Sequence, residues 1–169
     1  MRSVITTLLV LFLFNTVPLK AGDCELPKRI KLEAKEDYAP YHTLIVDCVD
    51  WLGSTPFTTE KKKRRDVQAF VIKWMMGTPT LSVKINSYHL DLWSRDSDKL
   101  MPVFLGGWAR AIIQADFEID EYEGMAGGIR TLIKVHELDG APKKSREIKR
   151  LIKADKKGEL VDYLKKKAS

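Results

Sequence analysis

Three histidines, two cysteines and a run of acids are the residues of this chain with the most chemistry to offer. His42, His89 and His136 stand alone in the sequence. A metal site needs imidazoles or thiolates about one helical turn apart, as in His-Glu-x-x-His or Cys-x-x-Cys. Neither pattern occurs. Each histidine therefore reads as a surface or satisfied core residue. The run Asp116, Glu118, Asp120, Glu121 and Glu123 invites a calcium test. An EF-hand loop starting at Asp116 would need Gly at its sixth position and Glu at its twelfth. Glu121 and Gly127 stand there instead. The segment holding Asp91, Asp96 and Asp98 fails in the same way. Both runs read as loop or helix-start acids, which helix N-termini favour without any metal.

Nucleophilic chemistry fares no better. There is no Gly-x-Ser-x-Gly elbow and no phosphate-binding glycine loop. Ser54, Ser82, Ser87, Ser94, Ser97 and Ser145 read as turn, cap or surface residues. A reactive cysteine must be exposed and thiolate-like. Cys48 falls on an apolar stripe, and Cys24 lies in a tail. The carboxylates of the acidic run could in principle form a glycosidase pair, but that needs a rigid cleft, usually in a larger scaffold. A hydrolase is thus the last of three readings, with no catalytic residue, cofactor or metal to assign.

Residues suited to binding are easier to find. Trp74 and Trp108 lie in strongly apolar segments and read as core. Trp51 is off the stripe of its helix and Trp93 sits at a turn, which makes them candidates for a binding face. Lys61, Lys62, Lys63, Arg64 and Arg65 form one basic cluster, and Lys165, Lys166 and Lys167 another. The first occupies the start of an expected helix, where the macrodipole disfavours cations. Glu60 and Asp66 offset this only in part. A protein or an anionic surface would suit such a cluster. The alternative is a solvated helix face with a frayed C-terminus. Finally, Gly106 and Gly107 lie in one expected helix, and Gly127 and Gly128 in another. Each glycine costs about 0.8–1 kcal/mol relative to Ala. Close packing of two backbones would offset that cost and predicts that the helices cross there. The alternative is an apolar ligand held against bare backbone between the helices.

The chain has 169 residues and a net charge of +6. Residues 1–21 read as a secretory signal peptide. Arg2 supplies a basic start, Val4 to Phe14 an apolar run, and Leu19, Lys20 and Ala21 a cleavage site. The run is too short for a membrane span, which needs ~20 apolar residues. The alternative is an uncleaved N-terminal anchor. No later segment qualifies as a span, so the expected destination is the periplasm or the medium. Export argues against a nucleic-acid partner. It also makes Cys24 and Cys48 a candidate disulfide that would pin the tail to the first helix. The other reading leaves Cys48 as a small core hydrophobe and Cys24 as a free thiol. Charge is segregated: residues 91–142 carry 5 basic and 10 acidic side chains, and residues 143–169 carry 11 basic and 4 acidic. An acidic middle is followed by a basic tail.

The elements that must position these residues are helices. Residues 22–36 form an irregular lead-in to a single domain over 37–169. Tyr41, Leu44, Ile45, Cys48, Val49 and Leu52 make one apolar stripe, which predicts a helix from Tyr38 to Leu52. Val67, Phe70, Val71, Trp74 and Met75 predict a second, from Glu60 to Met76, with Thr59 as its cap and Gly77 as its stop. Thr78 and Pro79 look like the cap and first residue of another. Residues 80–93 alternate like a strand at Leu81, Val83 and Ile85. Leu81, Ile85, Tyr88 and Leu92 also fit a helix, and a lone strand would lack a partner, so a short helix is expected. Further helices are expected over 98–114, 120–138, 146–154 with Ser145 as cap, and 159–167. The fold class is all-α, a bundle or stacked hairpins of five to seven helices.

Three stretches carry a resemblance: Lys73 to Pro79, Phe104 to Trp108, and Lys156 to Leu160. Together they resemble small exported helical proteins of Bacteroidota-type bacteria, over residues 66–164. The resemblance implies export and brings with it no activity and no functional residue. The leading expectation is an exported binding or scaffolding protein, and the second a carrier of an apolar molecule beside the four glycines.

Overall fold

The computed structural model describes residues 23–83, 85, 87–93 and 96–168. The signal peptide expected over 1–21 lies outside these residues. Two 3-10 turns, Lys35–Asp37 and Ala39–Tyr41, lead into α1 (His42–Leu52). Then come α2 (Lys61–Gly77), α3 (Ser87–Trp93), α4 (Ser97–Gln114), α5 (Glu121–Val135), α6 (Arg146–Lys156) and α7 (Leu160–Ala168). No strand occurs among the described residues, and the architecture is an all-α bundle.

Helix α4 is the central element. One of its faces carries Leu100, Val103, Phe104 and Trp108 into a core shared with α3, α5, α6 and α7. Ala109 joins a second core built by α1, α2 and the lead-in. Directions follow from the contacts. Gln68 meets Lys99 and Val71 approaches Gly106, so α2 runs the same way as α4. Val49 approaches Gly106, and His42 packs on Phe117 just beyond the end of α4, so α1 runs opposite. Helix α5 returns antiparallel along α4. A Cβ on Gly107 would lie 2.3 Å from Thr131 Oγ1, and one on Gly128 would lie 2.6 Å from the Phe104 carbonyl oxygen. The two helices therefore cross at their glycines, which is the close approach that offsets the glycines' helix cost.

Local chemistry sets the helix ends. Asp120 accepts from the Glu123 N–H, and Ser145 accepts from the Ile148 N–H, so both cap their helices. Gly158, at φ 74°, turns the chain between α6 and α7. Thr59 does not cap α2, contrary to expectation. Its hydroxyl donates to the Pro56 carbonyl, and Glu60, at φ 42°, precedes the helix without a side-chain cap. No helix begins at Pro79 either. Proline drives the preceding residue out of the helical region, and Thr78 is extended at ψ 131°. Residues 79–83 and 85 are non-helical, so only the second half of the expected 80–93 helix forms.

The lead-in is irregular but anchored. Cys24 and Cys48 are joined in a disulfide with their Cα atoms 4.5 Å apart, and both are fully buried. Leu32 and Tyr38 are buried too, and the Trp74 indole N–H donates to the Tyr38 carbonyl at 3.1 Å.

Candidate functional site

The first turns of α2 and α4 lie side by side, and two loops close one end of the space between them. The loops are tied together: the Phe57 N–H donates to the Asp139 carbonyl, and the Thr58 hydroxyl donates to the Asp139 carboxylate, both at 2.9 Å. Gly140, at φ 71°, makes the tight approach to Thr58. The Gln68 side-chain amide donates to the Lys99 carbonyl at 2.9 Å and fastens α2 to α4. What remains is an open groove of about 770 Å³. Phe57, Ala69, Ile72 and Pro102 give it an apolar lining; Lys61, Arg65 and Lys99 stand in its wall with one carboxylate, Asp98, and Lys99 is paired with Asp96.

Arg64 is the residue that organises this end. It was expected in an exposed cluster, but it is only 5% exposed. Its guanidinium donates to the carbonyls of Leu52 and Thr55, and it lies 4.3 Å from the centre of the Phe57 ring and 5.6 Å from that of Trp51. Helix α1 thus ends on a buried cation supplied by α2, which is favourable for carbonyls at a helix C-terminus. Burial draws the Arg64 pKa below the ordinary arginine value. Its Nε has no hydrogen-bond partner among the described residues, although Arg64 lines the groove.

The rest of the basic cluster divides by partner. Lys62 pairs with Asp66 at 2.9 Å. Lys63 pairs with Glu25 at 3.2 Å and lies 5.1 Å from the Trp51 ring centre. Lys61 and Arg65 are exposed and form no ion pair among the described residues. They are one turn apart on the same face, where like charges repel by about 0.2–0.5 kcal/mol. The uncapped start of α2 adds its own positive end to theirs. An anion arriving here would relieve both.

Several other candidates are corrected by the structure. Trp51 is 6% exposed, because its ring is covered by Lys63 and Arg64. Trp93 is 4% exposed and packs against Phe104, with ring centres 5.5 Å apart. Neither forms a binding face. The glycines do not cradle a ligand: a Cβ on Gly106 would meet Val49 at 2.7 Å, and one on Gly127 would meet Ala111 at 2.3 Å. With Gly107 and Gly128 filled by α5 and α4, no space for an apolar molecule remains beside them. Gly127 alone borders a smaller cavity of about 310 Å³, with Arg110, Arg130 and Lys134 among its polar neighbours. Among the described residues there is no group of three potential metal ligands.

One polar constellation went unnoticed in the sequence. Glu147, on the buried face of α6, accepts from the Tyr163 hydroxyl at 2.7 Å, from the Tyr88 hydroxyl at 3.2 Å and from Arg150 at 3.1 Å. Burial opposes its ionisation, but those three donors outweigh burial and hold its pKa below the usual carboxylate value. Burial, followed by the bond to Glu147, pushes Tyr163 up to about 12. The carboxylate oxygens are fully engaged, so the cluster braces α3, α6 and α7 rather than presenting a reactive group. Only the position of Glu147 between Arg146 and Ile148, on an otherwise apolar stripe, could have hinted at it. His136 is likewise structural. Its Nδ1–H donates to the Pro142 carbonyl at 3.0 Å, and burial lowers its pKa.

No protein-family model matches the chain, and neither a curated protein nor a solved structure is found similar to it.

Proposed function

We propose that this is an exported, non-catalytic binding protein and that the groove between α2 and the start of α4 is the surface by which it holds an acidic protein segment. One observation carries the reading: Lys61 and Arg65 stand without ion-pair partners beside the apolar lining formed by Phe57, Ala69, Ile72 and Pro102. Cations beside an apolar floor select a ligand that brings both negative charge and a hydrophobic anchor. A concave floor favours an inserted segment over a flat anionic surface. Export is supported by the leader-like residues 1–21 and by a disulfide of the kind that oxidising compartments preserve.

The test is an amide NMR titration of the disulfide-bonded protein with poly-L-glutamate and, separately, with phosphatidylglycerol vesicles. Poly-L-glutamate should shift the amides of residues 61–72 and 98–101, and the shifts should vanish at about 0.5 M salt, where charges beyond a few Å are screened. Unmoved groove amides would refute the reading. Shifts produced by the vesicles alone would replace the acidic segment with a membrane surface.

A further inference from the structure

We infer that the acidic segment is supplied by a second copy of the chain: the turn around Phe117 of one copy seats in the groove of the next, and copies join head to tail. The inference rests on the groove reading above and names its partner.

The turn matches the groove in both kinds of chemistry. Phe117 rests on His42, with ring centres 5.3 Å apart, and still leaves 39% of its surface exposed, beside a cluster of acids that the more exposed Met76 lacks. Asp116 and Phe117 hold left-handed backbone at φ 48° and 66°, a conformation that costs non-glycine residues and is usually left to glycine. Backbone bonds from Asp116 to Ile113 and from Phe117 to Ile112 maintain it. The turn thereby presents an aromatic ring flanked by Asp116 and Glu118, with Glu121 just beyond. These three acids are exposed and form no ion pair among the described residues, whereas Asp120 is engaged by Lys165 at 3.5 Å. The groove offers the complement: unpaired Lys61 and Arg65, an apolar lining, and Arg64 with an unbonded Nε, which together outnumber the one lining carboxylate, Asp98.

Position decides between self-contact and contact with another copy. The groove lies at the start of α4 and the turn lies just past its end. Eighteen helical residues separate the two by roughly 25 Å at 1.5 Å per residue. One chain cannot insert its own turn into its own groove. Helices α2 and α4 point their positive ends toward the groove, while α1 and α5 run the other way, so the complementarity rests on side-chain charge and not on a net helix dipole. Two different surfaces at opposite ends make a heterologous contact, which propagates as an open chain or closes as a ring.

Sedimentation velocity on the exported, disulfide-bonded protein tests this. At low salt, species larger than monomer should appear as concentration rises to roughly 1 mM, and about 0.5 M salt should dissolve them. Lys61→Glu with Arg65→Glu blocks the groove, and Phe117→Ser with Glu118→Lys blocks the turn. Each double variant should associate at least about tenfold more weakly, because charge reversal sets like charges face to face. Mixed one to one, the two variants should form a heterodimer and nothing larger, since one intact turn then meets one intact groove. That dimer also proves that both variants fold. If Phe117→Ser unfolds the turn, Glu118→Lys alone serves in its place. A monomer at every concentration overturns the inference, and so does assembly that survives both double variants. If poly-L-glutamate still shifts the groove amides of a strictly monomeric protein, the self-contact falls and the groove reading stands. If neither occurs, both fall.

Discussion

The lead-in over residues 23–41 and the helices α6 and α7 both flank the α1, α2, α4 and α5 framework, yet they are secured by different physics. The lead-in has only two 3-10 turns and few buried side chains, Cys24, Leu32 and Tyr38 among them. Such a segment removes too little apolar surface from water to offset its ordering entropy. A covalent bond to α1 replaces the missing burial. Helices α6 and α7 bury Ile148, Leu151, Leu160 and Leu164 and need no covalent tie. Their register against α3 is set by the Glu147 carboxylate and its two tyrosines. Covalent closure tolerates irregular backbone, while a polar brace demands exact partners from three helices.

The contrast can be broken at its strong end first. Replacing Cys24 and Cys48 by Ala should cost about 3–4 kcal/mol, the loop-closure entropy for their separation of 24 residues. Urea denaturation measures the loss, and hydrogen exchange should open the lead-in while sparing α6. A loss below about 1 kcal/mol would mean that Leu32 and Tyr38 hold the lead-in unaided. Glu147→Ala should cost about 2–3 kcal/mol, since two half-buried hydroxyls and Arg150 lose a charged acceptor. Here exchange should rise in α6 and α7 and leave the lead-in closed. Gly128→Ala strikes the seam between α4 and α5 that both regions lean on. It should destabilise by about 1–3 kcal/mol, against the gain of roughly 1 kcal/mol expected in an open helix.

A pH series sharpens the same comparison with a smaller effect. Burial lowers the pKa of His42 and His136, so the unfolded chain takes up protons first as pH falls below about 6.5. Stability should therefore decline with acidification at the start of α1, where the lead-in joins, and at the end of α5. Below pH 4.5 the depressed Glu147 adds a further loss that belongs to α6 and α7 alone. On the alkaline side, Tyr163 is raised, so its contribution is intact below pH 10 and disappears as pH climbs toward about 12. Exchange at high pH should thus loosen α7 before the lead-in. The smallest change should come from Lys62→Met. It removes an exposed pair with Asp66 and should stay within about 0.5 kcal/mol by urea denaturation.

Much of the helical framework was legible because its stripes are long. Ile45, Cys48, Val49 and Leu52, and Val67, Phe70, Val71 and Trp74, repeat at helical steps and are buried as the pattern requires. The glycine pairs were legible as a crossing point, because a helix tolerates such cost only where backbones meet. Side chains off the stripe were not. Trp51 lies outside the periodic face of α1, but the charged heads of Lys63 and Arg64 lie over its ring from α2, and no local pattern encodes that. For the same reason a run of five cations could not be sorted into one buried, two paired and two free. Only the Lys62–Asp66 pair is local, four residues apart on α2; Leu52 and Glu25, the partners of Arg64 and Lys63, come from α1 and the lead-in. The groove is a product of tertiary packing, assembled from α2, α4 and two loops about 80 residues apart.

Both cysteine side chains are fully shielded from solvent. Disulfide exchange proceeds by direct attack of a thiolate on sulfur, so a reductant cannot act until the lead-in lifts from α1. With a reductant fast enough to outpace reclosing, reduction should then run at the frequency of that opening. The same shielding acts in reverse during maturation. An oxidant can reach Cys48 only while the lead-in is off α1, so the bond forms before the lead-in docks and then holds it there.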